Sequence, residues 1–323
     1  MLSEEGERVA LLPGLLDHAV RRRHDVLVHP EAEAQWNVWL EHRDAVLRDV
    51  YRRAERDSQS RQGRAPSDVE VWVVDETTSD WKAMPPRLCL RDVIEVLGIP
   101  LEVLVEDETS DGAFLDAAVP PPLRSAWMAA RRARRVGFVS LGGVGQVKRR
   151  LEGERGRVPR SMRTMVLVDS DAPRPWLDPH EPPERSWKHL PEENRGAARA
   201  AASRRIPVHV LERRMAENYI PPPTVLAWAK SLSSTERKLK LPHAEHLQRL
   251  PPECRRHHHL KKGIRQGERA NYGELTAEAE AALTTSLGSS AWEAFSLASE
   301  VDLREDGVHT ELIPLFRRIL GTL

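Results

Sequence analysis

Residues 164–171, TMVLVDSD, decide the fold reading: a short apolar run that reads as a buried strand stops at Asp169 and Asp171. A continuous run, rather than an alternating one, is what a strand covered on both faces requires. Working outward, comparable runs recur at LEVLVED (101–107), RRVGFVSL (134–141) and IPVHVLE (206–212), with helical patterns from Asp111, near 144–152 and near 191–204. Strands alternating with helices predict an α/β core over 99–223, a parallel sheet flanked by helices on both faces. Residues 1–98 read as mainly helical. Within them, 31–57 place Trp36, Trp39, Leu40, Val46, Leu47 and Val50 at helical spacing, SQSRQGRAPSD (58–68) reads as a loop or linker, and VEVWVVDE (69–76) is followed by the helical RDVIEVLG (91–98). Residues 224–323 also read as helical additions, interrupted by CRRHHHLKKGIRQG (254–267) and closed by the amphipathic LIPLFRRIL (312–320).

With 323 residues, the chain is long enough for one large or two ordinary domains. Hydrophobic residues are 40%, charged residues 30% and the mean hydropathy is −0.52. No apolar run approaches the roughly 18–20 residues that span a bilayer, so a membrane-crossing protein is not expected. Acidic residues precede the short N-terminal apolar patch where a secretory leader needs basic ones. With only Cys89 and Cys254, the expectation is a cytoplasmic protein without a disulfide framework.

Charge is balanced, 49 basic against 49 acidic, but unevenly placed. Residues 61–120 hold 13 acidic and 5 basic side chains, whereas 124–163 hold 12 basic and 2 acidic. Carboxylates that gather metal beside Arg and Lys that receive phosphate would give this pattern, with Arg131, Arg132, Arg134, Arg135, Lys148 and Arg149 as the nucleic-acid contacts. A solvated arginine-rich helix explains the basic half equally well.

Ligands of open parallel sheets bind at the carboxyl ends of the strands. There this sequence is acidic: Glu106 and Asp107 end one strand, Asp111 lies one helical turn on, and Asp169 and Asp171 end another. Such oxygen donors suit Mg²⁺ (or Mn²⁺). Between them VGFVSLGGVGQV carries Gly142, Gly143 and Gly145. This spacing fits neither the phosphate loop nor the dinucleotide fingerprint, and it reads as a tight turn beside the carboxylates.

Strand-Glu, then strand-Gly-Gly, then strand-Asp-x-Asp, in that order, resembles the TOPRIM domain of topoisomerases, bacterial primases and OLD-type nucleases. HVLERRMAENYIP (209–221), with Glu217, Asn218 and Tyr219, is similar to the segment that follows Asp-x-Asp in OLD-type and stand-alone TOPRIM nucleases. HHHLKKGI (257–264), with Lys261 and Lys262 before Gly263, resembles their late lysine segment. The resemblance covers about residues 100–265. It implies a TOPRIM-like core and a Mg²⁺-dependent nuclease. In that scheme Glu106, Asp169 and Asp171 hold a first ion, Glu217 serves a second ion or a water, Glu106 doubles as general base or acid, and Lys261 or Lys262 stabilises the transition state. Asp111 is placed with the metal ligands although it lies five residues beyond Glu106, where the family has four, and Asp107 replaces the family's Gly. The implied partners are nucleic acid, DNA ahead of RNA, and a separate ATPase, since the N-terminal hundred residues lack a P-loop. An oligomer and an anti-phage context are also implied. One rival is another TOPRIM chemistry, strand transfer or primer synthesis, for which none of Tyr51, Tyr219 and Tyr272 stands in the setting of a catalytic tyrosine; the other is a non-catalytic nucleic-acid- or partner-binding module with a structural metal site.

Arg213 and Arg214 either contact phosphate or pair with nearby carboxylates. His257, His258 and His259 read as partly buried loop imidazoles, because adjacent histidines cannot all face one ion. Trp176 and Trp187, in the Pro-rich insertion 172–191, either stack on a nucleic-acid strand or form a lid or docking element.

Overall fold

The computed structural model describes residues 4–21, 23–64, 70–153 and 161–322. Two sheets are present among them. A small parallel pair joins β1 (Trp72–Val74) to β2 (Arg87–Cys89). The main sheet contains β3 (Leu101–Val105), β4 (Val136–Ser140), β5 (Thr164–Val168) and β6 (Val208–Val210), all parallel, in the order β4-β3-β5-β6. The α/β reading and the four strands are therefore observed.

Side-chain alternation divides the main sheet into two faces. Leu101, Val103 and Val105 of β3, with Met165 and Leu167 of β5, enter one apolar cluster; Leu104, Val166 and Val168 enter another. Both clusters are nearly solvent-free, which is why these strands read as continuous apolar runs. The second cluster is closed by the helices Val144–Gly153 and Glu192–Ser203. The first is closed by the helices Glu108–Ala117 and Pro121–Arg132 and by the C-terminal region, through Trp228, Leu247, Leu283 and Phe316. Phe316 packs edge-on against Trp127 with ring centroids 4.9 Å apart. Residues 224–322 thus share one core with the sheet.

The strand order reverses between β3 and β5: β4 lies outside β3, and β6 lies outside β5. Ligand sites of open parallel sheets lie at such a reversal, at the carboxyl ends of the strands, and Glu106 and Asp169 follow those ends here.

The N-terminal region departs from the expectation twice. The helical stretch 31–57 is two helices, Glu33–Glu41 and Ala45–Arg64. Asp44 Oδ1 accepts from Leu47 N–H at 3.0 Å and so caps the second. The break separates the apolar face: Trp36 and Leu40 are buried, but Val46 is 73% exposed and Leu47 and Val50 also face solvent. The expected loop or linker at 58–68 is not observed over residues 58–64. Residues 58–64 continue the helix, since no proline intervenes before Pro66, and Ser58 and Arg61 are tied back, Ser58 Oγ to Val26 N–H and Arg61 to Asp25 at 2.6 Å. Residues 65–68 of that segment lie outside the described residues. No helix among the described residues is long and apolar enough to cross a membrane.

Trp176 and Trp187 are core residues rather than a stacking clamp. They are 5% and 6% exposed and pack with Ala197, Ala198 and Val144, and the Trp176 indole N–H donates to the Leu211 carbonyl at 3.1 Å. A bulky indole with a single donor is stable inside when that donor finds a carbonyl.

The helix break predicts opposite outcomes for residues that share one sequence pattern. In urea unfolding, Leu40→Ala should cost about 2–5 kcal/mol, whereas Val46→Ser should stay within about 0.5 kcal/mol of wild type.

Candidate functional site

The turn after β3 is built by acidic side chains acting on backbone. Asp111 Oδ2 accepts the N–H groups of Glu106 and Asp107, each at 3.0 Å. Asp107 caps the helix Glu108–Ala117 by accepting from Thr109 N–H at 3.0 Å and Ser110 Oγ at 3.1 Å. The carbonyl of Glu106 accepts from Gly142 N–H at 3.2 Å and from Ser140 Oγ at 3.1 Å. Gly142 and Gly143 have φ of 74° and 119°, conformations that favour glycine. The Gly-Gly segment is the tight turn expected, and it holds the backbone of Glu106.

The turn after β5 is stitched to residues 213–216. Asp169 Oδ1 accepts from Ala216 N–H at 3.0 Å, Ser170 Oγ donates to the Arg213 carbonyl at 2.9 Å, and Asp171 N–H donates to the Arg214 carbonyl at 2.8 Å. Asp171 is held at φ 49°, a left-handed conformation costly for a residue with a Cβ. Asn194 Nδ2 donates to the Asp169 carbonyl at 2.8 Å, tying in the helix Glu192–Ser203.

Glu217 sits in a 3₁₀ turn, Ala216–Tyr219, and is fully buried. Its neighbours fasten that turn in two directions. Asn218 Oδ1 accepts from Met215 N–H at 3.1 Å, while its Nδ2 donates to the carbonyls of Arg255 and His258 at 3.0 and 2.9 Å. The Tyr219 hydroxyl donates to Glu311 of the C-terminal helix and accepts from Arg213 N–H at 3.2 Å. Glu-Asn-Tyr therefore supplies one carboxylate and two anchors.

The lysine comes from a segment held by histidines. His243 Nδ1 is 2.6 Å from the Thr285 carbonyl, so it carries the proton. Its Nε2, 3.0 Å from His258 Nε2, must then accept, and His258 Nδ1 accepts from the Tyr272 hydroxyl at 2.8 Å. Burial keeps both rings neutral: it pushes His243 down to about 4 and His258 well below the usual histidine value. His257 Nδ1 reaches the Ala172 carbonyl at 3.1 Å, beside Asp171. The three histidines, expected to be partly buried, are buried; His257 and His258 reach different neighbours, and His259 Nδ1 has no hydrogen-bond partner. Gly263, at φ 70°, has no room for a side chain, since a Cβ would lie 2.4 Å from the Thr284 carbonyl oxygen. The turn so fixed places Lys261 Nζ 2.9 Å from Glu217 Oε1. Lys262 is exposed, so the geometry selects Lys261 from the pair.

Glu106, Asp111, Asp169, Asp171 and Glu217 are brought into one electrostatic neighbourhood. Burial, then Asp171 and Asp111, push Glu106 up to about 8 against the pull of Lys261. Burial, then Glu106, Asp111, Glu217 and Asp171, hold Asp169 well above the carboxylate range. Asp111 is raised to about 6, by burial first and then Glu217, against its hydrogen bonds to backbone. Burial lowers the Lys261 ammonium, but Glu217, Asp169 and Asp111 raise it by more. Glu106 Oε1 and Glu217 Oε2 are buried without a hydrogen-bond partner. No group of three or more His, Cys, Asp or Glu among the described residues stands in a metal-holding arrangement.

The basic residues are distributed otherwise than expected. Arg213 and Arg214 are 5% and 1% exposed and cannot be presented to nucleic acid. Arg213 pairs with Asp306, and Arg214 forms two hydrogen bonds to Glu268, at 2.9 and 2.8 Å. Arg131, Arg132, Arg134 and Arg135 precede β4 and therefore stand at the amino end of the sheet, away from the carboxylates. Arg131 lies over Phe138, 4.1 Å from the ring centroid, and pairs with Asp116; Arg132 and Arg134 are exposed. Lys148 and Arg149 are exposed on the helix Val144–Gly153, which leaves the carboxyl end of β4. The internal partners Glu268, Asp306, Glu311 and Asn194 were not identified from the sequence, because no local spacing marks a partner 25 to 93 residues away.

Compared with protein-family models, with curated proteins and with solved structures, the chain matches none.

Raised carboxylate pKa values make the metal-free folded chain hold protons that the unfolded chain releases. That stabilisation is complete below the ordinary carboxylate range and is lost as pH rises toward 8. Metal-free melting temperature should therefore fall between about pH 5 and pH 8, and Glu106→Gln should flatten the fall and melt higher than wild type at pH 8. A wild-type melting temperature that rises over this interval would reject the assignment. For the internal arginines, Arg214→Ala should cost about 3–5 kcal/mol in urea unfolding by stranding Glu268.

Proposed function

We propose that the chain is a divalent-metal-dependent nuclease built on a TOPRIM-like sheet. The observation that carries this reading is the convergence of Glu106, Asp169, Asp171 and Glu217 with Lys261 at the carboxyl ends of β3 and β5. These side chains come from four separated segments of the chain, and they are the ones that the resemblance to TOPRIM nucleases singles out.

The donor set suits a hard cation. It is all oxygen, two of its oxygens are buried without hydrogen bonds, and burial and crowding push Glu106, Asp111 and Asp169 away from ionisation, a cost that a divalent ion would offset. Glu106, Asp169 and Asp171 would hold Mg²⁺ or Mn²⁺, with Asp111 and Glu217 beside them. Bound there, the ion would supply positive charge to the phosphoryl oxygens and acidify the attacking water.

The chain's own groups account for the rest. Asp111 spends Oδ2 on two backbone N–H groups and so shapes the Glu106 turn, leaving Oδ1 for the site. Glu106, with its proton affinity raised, is suited to take a proton from water or return one to the leaving oxygen. Lys261, kept protonated by Glu217, Asp169 and Asp111, offers a compact ammonium to the charge that accumulates on the transferred phosphoryl group. The resemblance extends the proposal to DNA, ahead of RNA, as substrate and to a separate ATPase as partner.

Plasmid nicking with Mg²⁺ or Mn²⁺ tests the reading. Asp169→Ala should reduce cleavage by about 100-fold or more, Lys261→Met should also reduce it strongly, and Lys262→Met should leave it near wild type. DNA binding without cleavage under either metal would assign the chain to the rival, a non-catalytic module.

A further inference from the structure

At the amino end of the main sheet, opposite the carboxylates, a second group of like charges is gathered. Arg135 and Arg163 immediately precede β4 and β5 and flank the start of β3: Leu101 N–H donates to the Arg135 carbonyl and Glu102 N–H to the Arg163 carbonyl, both at 2.8 Å. Arg23 and His24 follow the helix Glu4–Val20 in a turn whose N–H groups return to the His18 carbonyl at 2.8 and 3.4 Å. Arg135 reaches across to donate to the Arg23 carbonyl at 3.0 Å, and the His18 and His24 rings are 5.3 Å apart.

Their hydrogen bonds do not neutralise them. Arg135 donates to the Arg23 carbonyl, and Arg163 donates to the carbonyls of Ile99 and Thr322. No carboxylate among the described residues pairs with Arg23, Arg135 or Arg163. The carboxylate that bears on His18 is Asp17, and it is paired with Arg21 at 2.7 Å. His18 Nδ1 is buried with no hydrogen-bond partner. The groups oppose one another as well: burial, then Arg163, His18 and Arg135, push His24 down to about 3, and burial, then Arg135, push Arg163 down to about 10.

We propose that Arg23, Arg135 and Arg163, with His18 and His24, form a binding site for a phosphate group carried on a small ligand. A guanidinium whose hydrogen bonds go to backbone carbonyls keeps its charge and has further N–H donors for phosphate oxygens. The site is recessed, with Arg163 6% exposed and His24 half-buried, which suits a discrete phosphate better than a long polyanion. An extended nucleic-acid backbone would meet the outlying, exposed Arg132 and Arg134 instead. Occupancy would hold the N-terminal helical region against the sheet, because the cluster draws on both. The proposal is independent of the metal-carboxylate reading.

Thermal unfolding of the full chain tests it, with potassium phosphate, adenosine monophosphate or a short DNA duplex titrated against potassium chloride at equal ionic strength. Wild type should show a saturable rise in melting temperature with one or both phosphates beyond the chloride control. A response to both assigns the site to phosphate as such, and a response to the nucleotide alone assigns it to a phosphate ester. Arg23→Ala and Arg135→Met should bind at least about tenfold more weakly. In chloride alone Arg23→Ala should melt at or above the wild-type temperature, since it relieves repulsion and Arg23 is exposed. No saturable rise, or an equal rise in wild type and both variants, overturns the proposal. A rise seen only with a DNA duplex and lost in Arg23→Ala would make the cluster a nucleic-acid contact and overturns it too.

Discussion

Mutual repulsion among buried carboxylates is the constraint around which the upper end of the molecule is organised. Burial, and after it the neighbouring carboxylates, raise the cost of ionising Glu106, Asp111 and Asp169. The carboxylates are held by contacts that do not involve their charged atoms alone. The Gly142 turn fixes Glu106, residues 213–216 fix the Asp-x-Asp turn, and Asn218 fixes Glu217 to the histidine segment. The ion pair from Lys261 to Glu217 supplies part of the missing positive charge.

Charge is also separated along the strands. The carboxylates follow the last residues of β3 and β5, while Arg135 and Arg163 precede the first residues of β4 and β5. Because all strands of the main sheet run in one direction, whatever follows them gathers at one end and whatever precedes them gathers at the other. Glu106 and Arg135, only 29 residues apart in the sequence, thus stand at opposite ends of the sheet. Five-residue strands at about 3.3 Å per residue put roughly 16 Å between them. Arg131–Arg135 and the carboxylates therefore cannot grip the same phosphate.

Much of the fold was legible because burial on both faces leaves an unmistakable apolar run: β3, β5 and the helix after β4 fall where the pattern puts them, whereas the helix expected from Asp111 begins at Glu108 and is followed by a second, Pro121–Arg132. The N-terminal region was less legible. The apolar residues between Trp36 and Val50 keep one helical period across a break at 42–44, and the period alone cannot show that Leu40 turns inward while Val46 turns out. SQSRQGR looked like a linker by composition, yet helix propagation and the Arg61–Asp25 pair outweigh a polar composition. Trp176 and Trp187 lay in a Pro-rich stretch that resembles a loop, and their burial follows from the apolar cluster that they join with residues of the sheet and of the helices on that face.

The amino-acid sequence by itself determined the alternation of strands and helices, the acidic strand ends and the glycine turn, since these are short-range patterns governed by periodicity and local conformation; the Glu217 and Lys261–Lys262 segments were marked only by their resemblance to a family. Tertiary structure alone decided which lysine faces the carboxylates, that Arg213 and Arg214 are internal counter-charges, and that the arginine run lies at the far end of the sheet. Those outcomes depend on which distant groups meet. A buried charge takes the partner that packing delivers to it, and strand direction, not sequence proximity, sets which charges become neighbours.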